Sequence, residues 1–139
     1  MAATNHDPII NAARDALLSN FPNAWALYLY GSFARGDHTT SSDVDLAVLL
    51  PPDEKINDLL GALNDLSARV GREVDLVDLR RVSDVLRREV LAEGLVLFVA
   101  HPDKVLEWEG NAMTRYQYYR EEIKATLEQF EQTGIGYGQ

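Results

Sequence analysis

Two carboxylates, Asp43 and Asp45, stand two residues apart, and a Gly31-Ser32 pair precedes them with ten residues between. The apolar run Leu46-Ala-Val-Leu-Leu50 follows Asp45 and reads as a strand. Strand side chains repeat with period two, so both carboxylates face one side, their Cα atoms roughly 6.5–7 Å apart. Like charges that close repel unless a cation lies between them. An oxygen-only donor set suits a hard cation, Mg²⁺ or Mn²⁺, with phosphate oxygens and water completing its shell. Gly31 permits a tight turn and close approach of a ligand. Ser32 brings a hydroxyl and a backbone N–H at a helix start, which suits phosphate. Either half alone is an ordinary turn or an acidic strand end; together they point to nucleotide-phosphate chemistry. Arg35 can clamp a phosphate bidentately or pair with Asp37, and both readings stand. His6, His38 and His101 lack metal-ligand spacing, and His38 reads as a solvated loop residue. Ser41 and Ser42 read as capping or turn residues leading into Asp43.

Strands and helices must position these groups. Asp7-Pro8 is a strong helix start, and Ile9, Ile10, Ala13, Ala16 and Leu17 recur at helical spacing to about Asn20. The segment 24–30 is the first strand, feeding the Gly-Ser turn; the second strand ends at Pro51-Pro52. Asp53 is placed to cap a helix with Ile56, Leu59, Leu60, Leu63 and Leu66 in one stripe and Gly71 at its end. The segment 73–79 is a third strand, with Val74 and Leu76 on one side and Asp75 and Val77 on the other. A carboxylate such as Asp75 within an apolar strand is costly to bury without a partner. Asp78, in the opposite phase, reads as the cap of the turn into Arg80-Arg81. Ser83 or Asp84 starts a helix with Val85, Leu86, Val90 and Leu91 on one face, stopped by Gly94. The run 95–100 reads as a fully buried strand. Pro102-Asp103 opens a long helix to about Gln132, with Leu106, Trp108, Met113, Tyr116, Tyr119, Ile123, Leu127 and Phe130 in an imperfect stripe. Tyr116, Tyr118 and Tyr119 read as core or protein interface rather than as a base-stacking platform. Residues 134–139 read as a frayed tail.

At 139 residues, 46% of them apolar, the chain has the length of one domain and can bury a core. No apolar run approaches a membrane span, and the first residues lack the pattern of a signal peptide. Without cysteine there are no disulfides or thiolate metal sites, and a cytoplasmic setting is expected. The formal net charge of −9 lacks the basic footprint of direct nucleic-acid binding and favours basic partners.

Gly31-Ser-Phe-Ala-Arg-Gly-Asp37 with Ser42-Asp-Val-Asp-Leu46 resembles the minimal nucleotidyltransferase family of the DNA polymerase beta-like superfamily, and within it the antitoxins of HEPN/MNT toxin–antitoxin systems. The resemblance implies an α/β fold: a small twisted mixed sheet with helices on one face, plus a long C-terminal helix. It implies a single domain over 1–139, with a catalytic core in 1–100 and a partner interface in the helix 101–133. Asp43, Asp45 and, on the next strand, Asp75 are then metal ligands and catalytic residues for two Mg²⁺ or Mn²⁺ ions. Gly31, Ser32 and Arg35 are nucleotide-binding. The implied activity is transfer of AMP from ATP to a tyrosine hydroxyl of a cognate HEPN-domain RNase toxin. A small-molecule, aminoglycoside-type adenylyltransferase is an alternative. A non-catalytic antitoxin acting by occlusion is another, against which the retention of three costly carboxylates argues.

Overall fold

The structure, a computed structural model, describes residues 7–133; beyond Thr114 the side chains described are those of Glu121, Lys124, Ala125 and Glu128. The expected tail at 134–139, His6, and the side chains of Tyr116, Tyr118, Tyr119, Ile123, Leu127 and Phe130 lie outside the described residues. The elements run α1 (Pro8–Asn20), β1 (Ala26–Tyr30), α2 (Gly31–Arg35), β2 (Val44–Leu49), α3 (Leu59–Val70), β3 (Val74–Asp78), α4 (Asp84–Glu93), β4 (Leu95–Val99) and α5 (Pro102–Thr133).

The strand order is β3-β2-β1-β4. β1 is antiparallel to β2 and β4, while β2 and β3 are parallel, so the sheet is mixed. Successive residues of the central strands serve opposite faces. Leu27, Leu29, Val44, Leu46 and Val48 pack with Ile10, Leu17, Ala62 and Leu66 of α1 and α3. Ala26, Tyr28, Ala47 and Leu49 pack with Val90 of α4 and Val105 of α5. Helices thus cover both faces, not one as expected. This is why every residue of β1 is buried.

Local chemistry sets most element ends. Asp7 Oδ1 accepts from the Ile9 amide at 2.8 Å, and Pro8 sits at the first helical position. Gly71 closes α3 at φ 79°, the left-handed cap that glycine adopts without penalty. Ser83 caps α4 through the Leu86 amide.

Five further expectations are corrected. α3 begins at Leu59, capped by Asp58 accepting from the Gly61 amide at 2.9 Å, and not at Asp53. The Glu54 amide instead bonds the Pro51 carbonyl in a turn, and Ile56 packs on the core before the helix starts. The buried face of α3 is Ala62, Leu66 and Val70; Leu60 is 69% exposed. On α4, Val85 is 51% exposed, and the Arg87 side chain takes an inward position beside Val90. β4 is an edge strand with only Leu97 buried, because β1 is its one strand neighbour. On α5, Val105 and Ala112 face inward while Leu106 is exposed.

Candidate active site

Strand register builds the site. Tyr30, the last residue of β1, lies opposite Asp45 of β2, and Asp45 lies opposite Asp75 of β3. These three positions form one row across one end of the sheet, in phase with Ala47, Leu49 and Val77 on the α4 and α5 face. Asp43 precedes β2 by one residue and shares the phase of Asp45. The row opens into a cleft of about 490 Å³ lined by Tyr30, Gly31, Ser32, Arg35, Ser42, Asp43, Asp45, Asp75 and Glu89. All six residues singled out in the sequence therefore line one cleft. Asp78 points elsewhere: it pairs with Arg80 at 2.8 Å and with Arg81 at 3.6 Å, and its carboxylate accepts from the Arg80 amide.

Gly31 is required twice over. Its φ is 72°, which favours glycine, and a Cβ there would run into the Asp45 carboxylate. The chain turns here from β1 directly into α2, whose first turn has no side-chain cap. Its leading amide groups have no side-chain acceptor. α2 stops at Gly36, φ 81°, where the Gly36 and Asp37 amides both bond the Ser32 carbonyl. The following loop is braced from outside the motif. One Arg72 nitrogen donates to the Thr39 and Ser42 carbonyls at 3.0 Å each, and its guanidinium lies over the Phe33 ring. His38 stacks on the same Phe33 ring, the ring centroids 3.9 Å apart. Arg35 lines the cleft and also pairs with Asp37 at 3.1 Å, both side chains exposed. Its two sequence readings are compatible, since an exposed pair is weak and readily exchanged.

Carboxylates dominate the electrostatics of the site. Burial, then the charges of Asp75, Asp43 and Glu89, hold the Asp45 carboxyl above its ordinary range, against a small opposing effect of Arg35. Burial and the same group of carboxylates (Asp75, Asp45, Glu89) push the Tyr30 phenol up. The donor set fits a hard divalent cation: oxygen-only, anionic, and strained by its own repulsion. Among the described residues no three such side chains enclose an ion by themselves. Mg²⁺ takes one or two carboxylates and fills its shell with substrate phosphates and water. Asp43, Asp45 and Asp75 are the residues here that could hold it.

Sequence reasoning missed Tyr30 and Glu89. Tyr30 was traceable, being next to Gly31 and one register step from Asp45. Nothing local marks Glu89, which reaches the cleft only because α4 docks on this face.

A mixed sheet with a Gly-Ser turn and an Asp-x-Asp strand at one cleft defines a nucleotidyltransferase. The chain belongs to the family described as "Polymerase beta, Nucleotidyltransferase", whose sequence profile matches residues 15–103. It is 30% identical over 128 residues to the protein adenylyltransferase MntA of Shewanella oneidensis, covering 92% of this chain and 88% of that one. Among solved structures it resembles a toxin–antitoxin complex with AMP-PNP, at TM-score 0.74 and 29% identity, covering 88% of this chain and 98% of the other. It also resembles the MNT antitoxin chain bound to a tri-AMPylated HEPN toxin of Shewanella oneidensis, at TM-score 0.69 and 27% identity, with 88% and 96% covered. Among the described residues no helix is long and apolar enough to cross a membrane.

Proposed function

We propose that this chain is an ATP-dependent protein adenylyltransferase that silences a HEPN-domain RNase toxin by placing AMP on a tyrosine hydroxyl. One observation carries the reading. The Gly31-Ser32 turn and the carboxylates Asp43, Asp45 and Asp75 open on one cleft, in a chain alike over most of its length to a protein adenylyltransferase. The amides and hydroxyl at Gly31-Ser32 hold the β- and γ-phosphates, and Arg35 leaves Asp37 to steady them. Asp43 and Asp45 would hold two divalent ions, Mg²⁺ or Mn²⁺, and Asp75 would hold the one on the acceptor side. When bound, these ions neutralise the triphosphate and polarise the attacking and leaving oxygens. The tyrosine oxygen forms its bond to the α-phosphorus in line with the breaking bond to the β-phosphate. Pyrophosphate departs with that electron pair, and the phenolic proton passes to a site carboxylate or water.

Residues 1–100 serve as the catalytic core and 101–133 as the partner-facing helix of one domain. The partner is a protein, and nucleic acid is not bound directly. The setting is cytoplasmic, where ATP and Mg²⁺ are at hand.

A covalent phosphodiester outlasts the protein that installs it, which gives the test. Toxin incubated with this protein, ATP and Mg²⁺ should stay inactive after the protein is removed, with its mass raised by whole AMP units. A phosphodiesterase that strips them should restore RNase activity. The Asp43→Asn/Asp45→Asn protein should lose transfer while still folding. If that variant silences toxin as well as wild type at substoichiometric dose, with no change in toxin mass, the enzymatic reading falls.

A further inference from the structure

Glu89 belongs to the cleft but has no task in the transfer just described. It lies on α4 and lines the same cleft as Ser32 and Arg35 of α2. Its charge reaches Tyr30, Asp45 and Arg35, yet among the described residues no hydrogen bond or ion pair holds it. One helical turn further on, exposed Glu93 continues the same acidic line outward, and its charge also reaches Arg35. Glu93 ends α4, whose last turn holds no basic residue. A helix C-terminus disfavours anions, so the helix itself gains nothing from this placement.

A carboxylate repels phosphates. A triphosphate seated on Gly31, Ser32 and Arg35 therefore leaves the Glu89 side of the cleft to groups that are neutral or cationic. An RNA-cleaving enzyme carries basic side chains where it grips the RNA backbone. We propose that Glu89, backed by Glu93, receives a basic side chain next to the acceptor tyrosine, and so selects the acceptor protein rather than the nucleotide. This rests on the adenylyltransferase reading above.

The test is steady-state transfer of labelled AMP to purified HEPN toxin by wild type, Glu89→Gln and Glu89→Lys. Toxin, ATP and Mg²⁺ are varied separately, and circular dichroism checks each fold. Glu89→Gln should raise the KM for toxin about fivefold. Glu89→Lys should raise it further, most at low salt. Reversing the basic toxin residues near the tyrosine to Glu, one at a time, should yield one toxin that Glu89→Lys modifies better than wild type does. Unchanged toxin KM in both folded variants overturns the proposal. So does a loss that falls on the half-saturating Mg²⁺ or ATP concentration, which would make Glu89 a metal or nucleotide contact. Wild-type protein that labels no toxin overturns the adenylyltransferase reading itself, and this inference with it.

Discussion

Asp75 and Asp78 lie three residues apart on β3 and do opposite things, because strand phase sends them to opposite faces. Asp75 stands in register with Asp45 and opens on the cleft. Asp78 is part-buried beside Arg80. Burial pushes its carboxyl up, but the Arg80 hydrogen bonds, with the charges of Arg80 and Arg81, outweigh this and hold it below the ordinary range. Asp75→Ala should abolish AMP transfer with little loss of stability. Asp78→Ala should keep transfer and lose about 2 kcal/mol, since it strands a half-buried guanidinium. The pH dependence has a definite sign. A depressed carboxyl contributes its full stability above the unfolded value near 3.9 and loses it as pH falls through the lower folded value. The stability gap between wild type and Asp78→Ala should therefore be widest at neutral pH and shrink below about pH 4. Calorimetry across pH 2.5–7 checks it, the pH limits being roughly those that bracket carboxylate titration. A gap independent of pH would mean that packing, not charge, sets the cost.

At the scale of elements, α4 matters because it brings Glu89 to the cleft, and Arg87 is what seats it. Its guanidinium donates to the Leu79 carbonyl at 2.8 Å and the Val82 carbonyl at 2.9 Å, pairs with Asp84, and lies over the Trp108 ring. One side chain so ties the end of β3, the first turn of α4, and α5. Removing it leaves buried carbonyls without donors. Arg87→Ala should cost about 3 kcal/mol in urea unfolding, and Arg87→Lys should recover only part, lacking the planar fork. A loss below about 0.5 kcal/mol, the level of a surface change, would show that α4 is seated by its apolar contacts alone.

The whole molecule is a two-faced sandwich with an acidic balance. α1 and α3 close one side, α4 and α5 the other, and the Tyr28 hydroxyl donates to Glu109 at 2.7 Å to join the central strand to α5. The net charge of −9 sets up a field that draws a basic partner from a distance. Association of the Asp43→Asn/Asp45→Asn protein with the toxin, without ATP, should weaken at least tenfold between roughly 50 and 500 mM salt. Titration calorimetry would read it. A flat salt response would assign the complex to apolar contact instead.

What the sequence determined by itself was local. Asp7-Pro8, Ser83 and Gly71 mark helix ends through bonds to residues two to four positions away. Period two alone separated Asp75 from Asp78. The Gly31-Ser32 turn and Asp43-x-Asp45 were legible because each acts through its own backbone. Asp53 failed as a cap because Asp58, five residues on, makes the bond at the true helix start. What only the tertiary structure decided depends on which elements meet. β4 became an edge because the sheet ends beside β1, and Val85 faced water because α4 docks through Val90 and Arg87. Arg72 braces a loop through carbonyls 33 and 30 residues upstream. Glu89 enters the cleft through the seating of a whole helix. No local signal encodes such contacts, because burial and charge pairing act between segments that are distant along the chain and adjacent only once it is folded.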